Sequence, residues 1–254
     1  MEIQSRRRPL SALFMLGLFV LGLGIVRAEE PPVDLLWGVK IPMRDGVELN
    51  ATVYKPGGQK EPLPVVFTLT PYTADSYHDR ALYFSRHGYV FALVDVRGRG
   101  NSGGRFEPLA NEGRDGYDAV EWLARQPWSN GKVTMWGGSY AGCDQWQTVR
   151  EAPPHLATAV PVASPYAGVD FPMSRNIFFP YDMQWLTFTS GVAANRGLFG
   201  EEAFWIQKFR ELSLAHRPFR ELDQVIGNPS PVFQMWLSHP TIDGYWKSMQ
   251  ATAD

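Results

Sequence analysis

Residues 133–142 read VTMWGGSYAG. Val133 to Trp136 form the end of an apolar strand, Gly137 and Gly138 break it, and Ser139 stands at the tip of the break. A helix is predicted from Ser139 to about Arg150, closed by Pro153-Pro154. A sharp strand-to-helix turn crowds the residues two before and two after the serine, so both must be small. They are Gly137 and Ala141. The general G-x-S-x-G pattern has glycine where Ala141 stands, and a methyl group still fits. A serine held this way is a candidate nucleophile, and the start of the helix aims free N–H groups at the same spot, which suits an anionic intermediate. A serine hydroxyl is a weak nucleophile and needs a base within hydrogen-bond reach.

The segments on either side set the fold class. WGVKIPMRDGVELNATVYKP, residues 37–56, alternates apolar and polar positions around Asp45-Gly46, a hairpin signal. LPVVFTLTPY (63–72), GYVFALVDVRG (88–98) and LATAVPVAS (156–164) are apolar runs. Strands with both faces covered by helices read this way. Helical stretches separate them: Asp79 to His87, and EGRDGYDAVEWLARQPW (112–128), with acids in its first turn and a stop near Pro127. The expected architecture is α/β, a mostly parallel sheet with helices on both faces. Residues 165–254 lack long β-branched runs and are dense in Phe, Trp and Met, so they are expected to form a helical cap over the sheet. EEAFWIQKFRELSLA (201–215) is its clearest amphipathic helix.

The first 28 residues carry Arg6, Arg7 and Arg8, then an apolar run from Leu10 to Val26. Small residues Val26 and Ala28 precede Glu29. This layout predicts a secretory signal peptide over 1–28 and a periplasmic or extracellular protein that meets the membrane only during export. The alternative is an uncleaved anchor. Removal of four Arg and one Glu takes the formal charge from −2 to −5, and an acidic surface argues against nucleic acid as a partner. Cys143 is the single cysteine. It rules out a disulfide within the chain and reads as a small core residue. Metal motifs such as H-E-x-x-H are absent from the sequence, and neither metal nor cofactor is expected. The domain reading is a signal peptide (1–28), a core (29–164) and a cap (165–254).

IPMRDGVEL, TPY, GYVFALVDVRGRGNSGG, EGRDGYDAVEWLARQPWSNGKVTMWGGSYAG and SHPTIDGYW follow one another across residues 39–246. This series resembles the cocaine esterase and X-prolyl dipeptidyl-peptidase family of α/β-hydrolases, which is related to the α-amino-acid ester hydrolases. The resemblance implies a serine hydrolase that cleaves an ester or amide in a small molecule or short peptide through an acyl-enzyme on Ser139. It implies oxyanion donors at the Tyr72 hydroxyl and the Tyr140 backbone N–H. Many members have Asp-Lys after that tyrosine, where this chain has Thr73-Ala74 and so lacks that lysine. It also implies a structural role for the loop holding Asp95 and Arg97, with Arg97 bonding carbonyls beside the Ser139 turn. Phe171, Phe178, Trp185 and Phe188 are candidates for an acyl pocket, or equally for core packing.

Chain order in this fold runs serine, acid, histidine. His78 and His87 precede Ser139, while His155, His216 and His239 follow it. None is read as the base; His239 and Asp243 in SHPTIDGYW are read as a connection with a helix start near Asp243. The resemblance places acid and histidine beyond residue 254. The expectation is therefore a fragment holding the nucleophile and oxyanion hole, inactive alone. The alternative is a catalytically inactive product that binds a ligand or partner.

Overall fold

The computed structural model describes residues 30–252; the signal-peptide reading of residues 1–28 lies outside them. The hairpin comes first: β1 (Val33–Pro42) and β2 (Glu48–Pro56) pair antiparallel. Asp45-Gly46 turns the chain, the Met43 and Gly46 N–H groups donating to Val47 and Met43 carbonyls. β3 (Leu63–Thr70), β4 (Val90–Asp95), β5 (Ser129–Gly138) and β6 (Leu156–Val162) complete a sheet of order β1-β2-β4-β3-β5-β6. β2 meets β4 antiparallel, and the remaining pairs are parallel. A parallel pair needs a crossover, and helices supply each one. α1 (His78–Arg86) joins β3 to β4, α2 (Glu112–Ala124) joins β4 to β5, and α3 (Tyr140–Arg150) joins β5 to β6.

The period of two along the strands divides the core into two layers. Val65, Phe67, Leu69, Val90, Ala92 and Val94 bury toward α2, where Ala119, Val120 and Leu123 meet them. Val66, Phe91 and Leu93 face the other way and pack with Ala81 of α1. Helices on both faces explain why β3 and β4 contain so few exposed positions. α2 and α3 lie in close contact. A Cβ built on Gly116 would fall 1.9 Å from the Thr148 Oγ1, so only glycine fits that crossing.

The loop after β4 departs from expectation in one respect. Arg97 does not reach the carbonyls near Ser139. Its guanidinium bonds Asp115 in a fork (2.7 and 2.5 Å) and Asp45 at 2.8 Å, because β4 ends facing the start of α2 and the hairpin turn. Arg99 takes the carbonyls instead. Fully buried, it donates to Pro71 at 2.8 Å, Thr189 at 2.6 Å and Gly191. Burial pulls its pKa down to about 10, the nearby Asp95 opposing.

Residues 165–252 are not wholly helical. Met173–Ser174 (β7) and Ile177–Phe178 (β8) form a two-stranded ribbon. Arg175 and Asn176, both at positive φ, turn it; asparagine tolerates that conformation. Helices follow: α4 (Tyr181–Phe188), α5 (Arg196–Phe199), α6 (Glu202–Leu214), α7 (Leu222–Ile226), α8 (Pro231–Leu237) and α9 (Gly244–Lys247). Trp185, Trp205, Trp236 and Trp246 build a third buried cluster that also takes in Leu109 and Tyr140. The chain from Pro31 onward is one compact unit.

Candidate active site

Ser139 follows β5 and caps α3 with φ 57° and ψ −124°, a strained conformation for a residue with a side chain. Two contacts impose it. The Ser139 N–H donates to the Val162 carbonyl of β6 at 2.9 Å. Its own carbonyl accepts from Gly142 and Cys143 of α3 at 2.8 and 3.1 Å. A Cβ on Gly137 would sit 2.7 Å from the Ala141 methyl, so the turn closes only without one. Gln145 braces the corner: its amide donates to the Gly137 and Ala141 carbonyls (3.1 and 2.8 Å) and accepts from the Val160 N–H (2.8 Å).

Tyr72 follows β3 and brings its hydroxyl to the same point. That hydroxyl faces Ser139 and the Tyr140 backbone across the same hollow, and it accepts from the Trp185 indole N–H at 3.2 Å. Burial raises the Tyr72 pKa, with the Ser139 and Trp185 hydrogen bonds pulling the other way. Its ring stacks on Phe188 at 5.6 Å. Tyr140 is anchored at its far end. Its hydroxyl donates to Glu112 Oε1 at 2.5 Å and accepts from the Leu109 N–H at 2.6 Å, while its ring stacks on Trp185 at 5.5 Å. Glu112 is buried beneath it, and burial lifts its carboxyl to about 7. A carbonyl oxygen placed beside Ser139 would therefore find a phenol and a backbone amide, both fixed before it arrives.

Two hollows open at this point. One, of about 510 Å³, is bounded by Ser139, Tyr72 and Trp185 and reaches Phe171, Phe179 and Asp170. The other, of about 370 Å³, shares Ser139, Tyr72, Tyr181 and Trp185 and reaches Tyr77, Phe188, Phe199 and Arg196. Of the four aromatic pocket candidates, Phe171 and Trp185 line the first hollow and Trp185 and Phe188 the second, while Phe178 packs into the cap cluster. Phe179, Tyr181 and Arg196 carried no local signal in the sequence.

The histidines lie elsewhere. His78 bonds the Tyr54 hydroxyl at 2.9 Å, His87 the Tyr83 carbonyl at 2.6 Å, and His155 Glu121 at 2.9 Å. His216 follows the end of α6 at positive φ. His239 bonds Asp243 at 2.7 Å and stacks on Tyr245, while Asp243 caps α9 through the Tyr245 N–H. The His239 bond holds the Asp243 carboxyl below its ordinary range. Among the described residues no histidine lines either hollow. Cys143 is buried, and burial pushes its thiol well above its ordinary pKa, so it is no competing nucleophile.

A hairpin leading into a parallel sheet, with a strained serine at a strand-to-helix turn, defines an α/β-hydrolase. Residues 45–254 match the X-Pro dipeptidyl-peptidase (S15) family, and the chain belongs to it. The cocaine esterase of Rhodococcus sp. is 33% identical over 143 residues, 51% of this chain and 25% of the esterase. An α-amino-acid ester hydrolase structure superposes with a TM-score of 0.71 at 24% identity, covering 94% of this chain and 42% of that one. An aminopeptidase from a marine-sediment Thaumarchaeota archaeon gives 0.63 at 23% identity, covering 98% and 42%. These structures share the fold. The chain thus spans about a quarter of the cocaine esterase and well under half of each of the two structures.

Proposed function

We propose that the protein is a serine hydrolase that cleaves an ester or amide through an acyl-enzyme on Ser139. The observation that carries this reading is the convergence of the Ser139 hydroxyl, the Tyr72 hydroxyl and the Tyr140 N–H at one corner of a pocket. In the proposed reaction the Ser139 oxygen attacks the carbonyl carbon. The Tyr72 hydroxyl and Tyr140 N–H stabilise the resulting oxyanion, the leaving alcohol or amine departs, and water then releases the acid. The proton acceptor is none of the five histidines described above, which are held away from both hollows. The Ser139 proton passes to a general base, which returns it to the leaving alcohol or amine. The aromatic walls support a substrate with an apolar body, and the family's esterase and peptidase members support a small ester, amide or short peptide.

The test is Ser139→Ala in the full-length protein. Turnover of an activated ester such as 4-nitrophenyl acetate, and covalent labelling by a fluorophosphonate, should both fall to background. Unchanged turnover would overturn the assignment.

A further inference from the structure

Ser139 lines both hollows, and the rest of their linings differ in charge. The larger ends at the Asp170 carboxylate. The smaller is walled by Tyr77, Phe188 and Phe199, and among the described residues its one formal charge is the Arg196 guanidinium. Among the described residues no carboxylate lines it. Arg196 begins α5 and is exposed. It makes no ion pair among the described residues, whereas two other arginines of the molecule are engaged. Arg99 is surrounded by carbonyls and Arg217 is bound to Glu221 at 2.7 Å. A guanidinium set beside aromatic rings, with no ion pair among the described residues, is a ready partner for a carboxylate on an apolar body. The Asp170 end repels the same group.

We infer that the Arg196 hollow is an anion subsite, and that the molecule bound across Ser139 carries a carboxylate on the part lying between Phe188, Phe199 and Arg196. The inference deepens the hydrolase reading by naming a substrate class. The binding event itself does not require Ser139 to react, so the two can fail separately.

The experiment uses the purified full-length protein carrying Ser139→Ala, titrated by NMR with benzoate and with benzamide. These probes have the same ring and differ in charge. Benzoate should bind about two- to fivefold more tightly, a range set by the exposure of the guanidinium. The ratio should narrow as salt rises. It should fall to about one when Arg196→Ala is added and invert with Arg196→Glu. Equal affinities for the two probes, no binding of either at millimolar concentration, or a preference that survives Arg196→Ala would each overturn the subsite. Failure of the hydrolase reading would appear instead as ester turnover that persists in Ser139→Ala, and it would leave this titration unchanged.

Discussion

Trp185 has two tasks. Its ring lies flat on Tyr140, and its N–H supplies a hydrogen bond to the Tyr72 hydroxyl. One cap residue therefore touches both residues that carry the proposed oxyanion donors. The N–H satisfies a lone pair of the phenol oxygen and leaves the phenol's own hydrogen free to point toward Ser139. Trp185→Phe keeps the stacked ring and removes the donor. In steady-state kinetics on a soluble ester, kcat should drop about three- to tenfold with KM little changed, the size of one neutral hydrogen bond. Tyr72→Phe removes a proposed oxyanion donor and should cost about 10²–10³ in kcat. A Trp185→Phe enzyme with wild-type kcat would reduce the indole to a wall. The bond spans 113 residues, and nothing near Trp185 in the sequence announces it.

At the scale of the elements, the α2–α3 crossing is the tightest test of packing. Gly116→Ala drives a methyl into Thr148, which is itself fully buried, and nearby Gly113 approaches the Gln147 carbonyl in the same way. Overpacking of this kind costs about 1–3 kcal/mol. The variant should show a lower urea midpoint at unchanged m-value, and Thr148→Ser in the same chain should recover little, because the clashing atom is the hydroxyl oxygen. Elements with a simple rule behind them were legible in the sequence. β3 and β4 are apolar on both faces because helices cover both, and the first hairpin announced itself through Asp45-Gly46. The Ser139 turn was legible too, since its small neighbours are adjacent in the chain. What holds the site was not legible. The Arg97 and Arg99 roles depend on which way a tight loop points each side chain after two further residues. The β7–β8 ribbon is too short for any period to register. Gln145 reads as an ordinary helix residue until β6 is laid beside it.

For the whole molecule, the buried acids set how stability follows pH. Burial raises Glu112 to about 7 and Asp182 to about 8, and it raises Asp144 as well. Each folded-state pKa lies above its unfolded value, so the folded protein holds protons that the unfolded chain releases. The stability they confer is fully present below the ordinary carboxylate range and is lost as pH climbs through 7 and 8. Thermal midpoints should decline from about pH 4 to pH 8, and Glu112→Gln should flatten the part of the decline between about pH 4.5 and 7; a midpoint that rises over this range would contradict the burial of these groups. β6 has a different bearing on the whole. Its outer residues Val160 and Val162 are 44% and 50% exposed, yet its backbone holds the Ser139 N–H through Val162 and meets Gln145 through Val160. The strand works as a lever with its short arm on the serine. Any load on the rim of the sheet, whether a docking strand, fraying or a pull on the chain, reaches the reactive corner before it reaches the interior strands.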